Sequence, residues 1–324
     1  MWRTPVNLLR QRHERRDALA RLDPGKDFHE IYRQLSLYEF PWDINQALSF
    51  ALFRTYAVPS IGRLLHTTGE FTSRVQKRYD DTGLLLEAVL EHGLSSQEGR
   101  TAVRRINGMH RSYDISDDDM RYVLSTFVVT PIRWLDSYGW RRLTEAEKVA
   151  SANYYRELGR HMNIPDIPAT WQDFETLLDE YEAAHFAYDP GSRAVADATL
   201  ALLATFPPNH LAPRPAVDAF ARSLMDAPLR RALAYPSPPK VVEVLSRRAL
   251  RARGWFVRFM PVRTEPSMFR DLPGVRSYPT GFTVEGLGTF PKGCPVTQGS
   301  DGSGTRPQHA LRSDQLGDGT TTRQ

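Results

Sequence analysis

The chain has 324 residues, 41% of them apolar and 25% charged, the balance of an ordinary globular protein with a buried core. Lys and Arg number 42 against 38 Asp and Glu, and the resulting charge of +4 is too small and too scattered to point to nucleic acid. The one cysteine, Cys294, excludes an internal disulfide, a thiolate zinc site and an iron–sulfur cluster, and fits a reducing compartment.

Met1 to Ala20 is polar and arginine-rich, without the apolar stretch of a secretory signal, and nothing downstream is long and apolar enough to span a bilayer. The expected location is therefore cytoplasmic. Residues 1–25 read as a basic arm ending at Asp23-Pro24-Gly25, and residues 26–290 as one domain with helical periodicity throughout. A helix is expected near Ala47–Ala57 and another from Thr68 or Phe71 to Leu90. Capping pairs then open four more: Ser95 with Glu98, Ser116 with Asp119, Thr144 with Glu147 and Thr170 with Asp173. These helices are expected to end near Arg111, Ser137, His161 and Phe186. Further helices are expected over 193–205, 216–225 and 240–259, and a short extended piece on the surface from Tyr278 to Leu287. Residues 291–324, dominated from Gly299 by Gly, Ser, Thr, Gln, Asp and Arg, cannot offset their ordering entropy and read as a disordered tail. The fold class is all-α.

Pro131 interrupts the fourth of these segments. It lacks an N–H and its ring crowds the carbonyl of Phe127, so a bend is expected there, either curving around a core or leaving a gap for a ligand.

Two stretches carry residues fit for chemistry. Val103, Ile106 and His110 share one apolar helix face, which turns the imidazole inward. A neutral inward imidazole suits a haem iron; spacing alone favours a core histidine bonded to a carbonyl. Arg78, Thr82, Leu85 and Val89 likewise share a face. A buried guanidinium must meet an anion, whether a haem propionate or a carboxylate from a neighbouring helix. The Thr82 hydroxyl is placed either to serve bound dioxygen or to bond its own helix backbone.

The order Arg78-x-x-x-Thr82, then Arg-Arg-Ile-Asn-Gly-Met-His110-Arg, resembles the core of the rubber oxygenase (latex-clearing protein) and mpaB-like oxygenase family. Phe40-Pro41-Trp42, Thr68-Gly69-Glu70-Phe71, Pro131-Ile132-Arg133-Trp134 and Tyr181-Glu182-Ala-Ala-His185-Phe186 extend the likeness over roughly residues 20–290. The resemblance implies a single multi-helix oxygenase domain with a globin-like haem-binding core and haem b as cofactor. It implies His110 as the iron ligand, with Arg78 and Thr82 as supporting pocket residues. Dioxygen and an apolar, isoprenoid or lipid-like molecule are the implied partners, and oxidative cleavage or oxygenation the reaction. Where the rubber oxygenase pattern has a lysine just before the threonine, this chain has Asp81, so lysine capping of the iron is not expected. The family's pocket glutamate has Glu70 as its nearest counterpart.

Two other readings stay open. Glu182-Ala-Ala-His185 has the Glu-x-x-His spacing of a di-iron carboxylate oxygenase, although a single copy falls short of the two that such sites use. The segment Lys240–Phe259 is basic and amphipathic, which fits peripheral contact with a membrane surface in an enzyme or in a non-catalytic binding protein, or an ordinary solvated face over a core-packed stripe. No obligate protein partner is evident. No phosphate-binding loop or dinucleotide fingerprint occurs.

Overall fold

The structure, a computed structural model, describes residues 13–289. The first half of the expected basic arm, the expected tail and Cys294 lie outside those residues. Within them the chain is helical and contains no strand. The helices are α1 (13–19), α2 (Phe28–Gln34), α3 (Pro41–Tyr56), α4 (Pro59–Thr68), α5 (Glu70–Ser73), α6 (Val75–His92) and α7 (Gln97–His110). They continue as α8 (Asp117–Tyr138), α9 (Glu145–His161), α10 (Trp171–His185), α11 (Pro190–Leu203), α12 (Arg214–Leu224), α13 (Ala227–Ala232) and α14 (Lys240–Val257). A π-turn, Leu35–Glu39, joins α2 to α3.

Local chemistry explains most helix starts. Thr144 with Glu147 and Thr170 with Asp173 form reciprocal capping boxes, each satisfying two otherwise orphaned N–H groups. Ser116 accepts from the Asp119 N–H, but the Asp119 carboxylate turns away to accept from the Ser60 and Tyr181 hydroxyls. The cap of α7 is Ser96, one residue after the expected Ser95. Ser96 Oγ accepts from the Gly99 N–H at 2.8 Å, the i,i+3 bond of an N-cap. The expected helix ending at Leu90 is broken at Arg74 into α5 and α6. The Tyr278–Leu287 segment is not an extended surface piece: it contains a 3-10 turn, Val284–Gly286, and Leu287 is fully buried.

Packing places α8 at the centre. It contacts α3, α10, α9 and α14, and supplies Tyr122, Leu124, Val128, Val129, Ile132 and Leu135 to the main core. α8 runs unbroken through Pro131. Phe127, whose carbonyl loses its donor to that proline, packs against the main core and also lines two cavities. A smaller core gathers Phe53, Tyr56, Phe71, Val195, Leu200, Met225 and Leu233 around α11 and α13.

An ion cluster ties these parts together. The Arg54 guanidinium lies against both carboxylate oxygens of Glu182 and 2.6 Å from Asp226, while the Tyr122 hydroxyl donates to Glu182. Arg54 and Glu182 are both mostly buried. Removing one partner strands the others away from water, so Arg54→Ala is expected to cost about 3–5 kcal/mol in a urea unfolding titration. A loss under 1 kcal/mol would show the cluster to be ornamental.

Candidate active site

Arg78 and Thr82 on α6 and His110 at the end of α7 come together on the wall of one cavity of about 240 Å³. Its remaining wall is largely apolar: Leu52, Tyr56, Ile61, Leu65, Phe71, Leu85, Ile106, Met109, Val123 and Phe127. Their separation in sequence is bridged by the packing of α6 against α7, the helical pair that also aligns Leu85 with Ile106.

His110 is half-buried, and the part it shows faces this cavity. Its Nδ1 is enclosed and has no hydrogen-bond partner among the described residues. The carbonyl partner expected of an ordinary core histidine is therefore missing. Burial, with the Arg78 guanidinium adding to it, pushes the imidazole pKa down from 6.5 to about 4. The ring is neutral near pH 7, as a metal-ligating imidazole must be. Because the folded pKa lies below the unfolded one, the unfolded chain binds more protons between about pH 6.5 and 4, and stability falls as pH drops through that window. An NMR titration of the His110 Cε1 proton in cofactor-free protein is expected to centre near pH 4; a midpoint at 6.5 would place the ring in bulk water.

Arg78 is the second unusual group. Its guanidinium donates to the Thr82 hydroxyl and lies 5.0 Å over the Phe71 ring, with no carboxylate at ion-pair distance among the described residues. Burial lowers its pKa, only partly opposed by the nearby Asp81 charge. Thr82 Oγ1 donates to the Arg78 carbonyl at 2.8 Å and accepts from the guanidinium, so it bonds its own helix and holds Arg78 in place. Glu70 is on the same cavity wall, paired with Arg74. Asp81 does not line it: its carboxylate accepts from Lys77 at 2.7 Å and from the Tyr278 hydroxyl.

A second cavity of about 300 Å³ adjoins the first, and Leu52, Thr82, Leu86 and Phe127 belong to both walls. Its other side is built by the π-turn (Ser36, Leu37), Trp42 and Leu48 of α3, and the segment carrying Arg263, Ser267, Phe269 and Leu272. Glu87 sits in this wall, accepting the N–H groups of Phe269 and Arg270, and burial raises its pKa to about 7. Sequence reasoning missed this chamber and Glu87 entirely. It also missed Met109, whose sulfur accepts from the Thr289 N–H at 3.3 Å. Gly288 (φ 85°) passes so close that a Cβ there would meet that sulfur at 2.3 Å.

The rival motif goes elsewhere. Glu182 is committed to Arg54 and Tyr122, and His185 stacks on Tyr181 at 3.9 Å with its Nδ1 on the Tyr181 carbonyl. They form a structural corner, with neither side chain on the wall of either cavity.

The sequence profile described as "ER-bound oxygenase mpaB/B'/Rubber oxygenase, catalytic domain" matches residues 44–259. The chain belongs to this family. The matched span contains Arg78, Thr82 and His110. Among the family's curated members, the ER-bound oxygenase mpaB' of Penicillium brevicompactum is 29% identical over 263 residues, covering 76% of this chain and 62% of that protein. The ER-bound oxygenase mpaB of Penicillium roqueforti (strain FM164) is 31% identical over 68% of this chain and 79% of its own length. The mpaB of P. brevicompactum is 30% identical, and this chain spans 61% of it. The solved structure of latex clearing protein LCP in the closed state aligns over 76% of this chain and 70% of its own, with a TM-score of 0.48 and 18% identity. Among the described residues, no helix is long and apolar enough to cross a membrane.

Proposed function

We propose that this protein is a haem-dependent oxygenase acting on an apolar substrate, with His110 as the residue that would hold the iron. The observation that carries the reading is the pairing, on one cavity wall, of a neutral imidazole whose accessible part faces the cavity and a guanidinium with no carboxylate at ion-pair distance among the described residues. Haem b would suit both, since iron takes a neutral imidazole nitrogen and propionates are anions suited to a guanidinium. When bound, the haem supplies the activation of dioxygen, for which a protein provides orientation, polarity and exclusion of water.

The chain's own residues divide the remaining work. His110, neutral at working pH, offers a lone pair without first losing a proton. Arg78 supplies the fixed positive charge, held in position by the Thr82 hydroxyl. Leu52, Leu86 and Phe127 line both cavities with Thr82, so the boundary between them is mostly apolar. The second chamber then has room for the part of the substrate beyond the reacting bond. An isoprenoid or other alkene-bearing lipid suits such a lining, and cleavage of a C=C bond by dioxygen into two carbonyls is the reaction that the rubber oxygenase side of the family suggests.

Protein expressed with haem precursor is expected to be coloured, with a Soret band and a positive pyridine test for b-type haem. An oxygen electrode should then register uptake with an isoprenoid alkene such as farnesol, giving carbonyl products. Colourless protein that binds no haem on titration would end this reading.

A further inference from the structure

α14 faces the wrong way for an ordinary surface helix. Its buried seam is Ser246, Leu250 and Gly254, set against α8 so closely that a Cβ on Gly254 would meet the Tyr138 carbonyl oxygen at 2.4 Å. The opposite side, where charged residues belong, exposes Val241 (68%), Leu245 (60%), Trp255 (60%) and Phe256 (62%), joined by Val244. At the helical period these residues share one arc. Arg248 and Arg251 lie in the same arc, exposed and without a carboxylate partner among the described residues. Lys240 and Arg258 flank it. The helix's one acid, Glu243, is on the other side, paired with Arg247. Arg253 likewise turns inward to Asp43.

We propose that this outer face of α14 is a docking surface for an anionic lipid membrane, with the helix in the interfacial plane. Trp255, Phe256, Leu245 and Val241 would enter the acyl boundary while Arg248 and Arg251 meet phosphate headgroups. Charge argues for lipid over a second copy of the chain. Two such faces brought together would oppose guanidinium to guanidinium, with no acid on either to offset them. On its inward side α14 borders the second cavity: the Arg253 guanidinium lies 3.9 Å over the ring of Trp42, a partly exposed residue of that cavity's wall. Delivery of an apolar substrate from the bilayer into that chamber follows if the substrate reading above holds, but the docking itself does not depend on it.

Co-sedimentation of the full chain with phosphatidylcholine vesicles, with and without phosphatidylserine, tests the proposal. The wild type is expected to pellet with the serine-containing vesicles. Arg248→Gln with Arg251→Gln should lower that binding about fivefold per charge, roughly 25-fold together. Trp255→Ser with Phe256→Ser should lower it on the order of tenfold or more. Because all four side chains point away from the core, thermal melts should match the wild type. If the aromatic pair fails to fold, the arginine pair carries the test alone. A wild type left in the supernatant, or variants that pellet as well as it does, would overturn the proposal. So would a dimer in light scattering that the same substitutions dissociate, since the face would then be an interface between copies.

Discussion

His110→Ala is expected to yield folded protein that no longer retains haem, with the Soret band lost and the pyridine test negative. Changes to residues that merely orient a metal ligand cost about 10–100-fold in affinity, and removal of the ligand itself should exceed that. Truncation also leaves a hole beside the cavity where the ring stood. Added imidazole can fill such a hole, so it should restore part of the Soret band in the variant and none in a protein whose cavity has collapsed. His161→Ala and His185→Ala serve as controls, because the first side chain pairs with Glu157 near the surface and the second stacks on Tyr181. Both should keep haem. Stoichiometric haem in His110→Ala would assign the iron-holding role to another residue.

Sequence reasoning worked where the physics is local. The boxes at Thr144 and Thr170 involve residues three apart, so the letters alone place two helix starts. It slipped by one residue at Ser96, because two adjacent serines offer the same chemistry and only backbone geometry chooses between them. The short helices α2, α4 and α13 escaped because six to ten residues hold too little periodicity to register. At the site, helical spacing turned both His110 and Arg78 inward, but not toward the same cavity; that depends on the α6–α7 crossing. The second chamber was illegible, since its walls come from a π-turn, α3, α6 and a segment nearly 200 residues further along. For α14 the stripe was legible and its direction was not. Periodicity reports that apolar residues share a face; only tertiary packing decides that small Ser246 and Gly254 go inward and Trp255 and Phe256 outward.

Arg78→Met is expected to move stability and cofactor retention in opposite directions. In haem-free protein the guanidinium meets the Thr82 hydroxyl and the Phe71 ring but no carboxylate at ion-pair distance among the described residues, so its desolvation is poorly compensated. An apolar side chain of similar length removes that cost, and replacements of buried charge by well-packed apolar groups have gained about 1–4 kcal/mol elsewhere. A rise within that range should appear in urea unfolding of the haem-free variant. Haem retention should fall, because a hydrogen bond to a charged group contributes about 1.5–3 kcal/mol, or roughly 10- to 150-fold in affinity. Arg78→Lys keeps the charge but not the planar fork, and should recover only part of the loss. Thr82→Val, which removes the hydroxyl that holds the guanidinium, should shift retention in the same direction by less. If Arg78→Met instead destabilised the haem-free protein and left haem retention untouched, the residue would be a structural strut. The opposite signs are what distinguish a charge kept for a ligand from one kept for the fold.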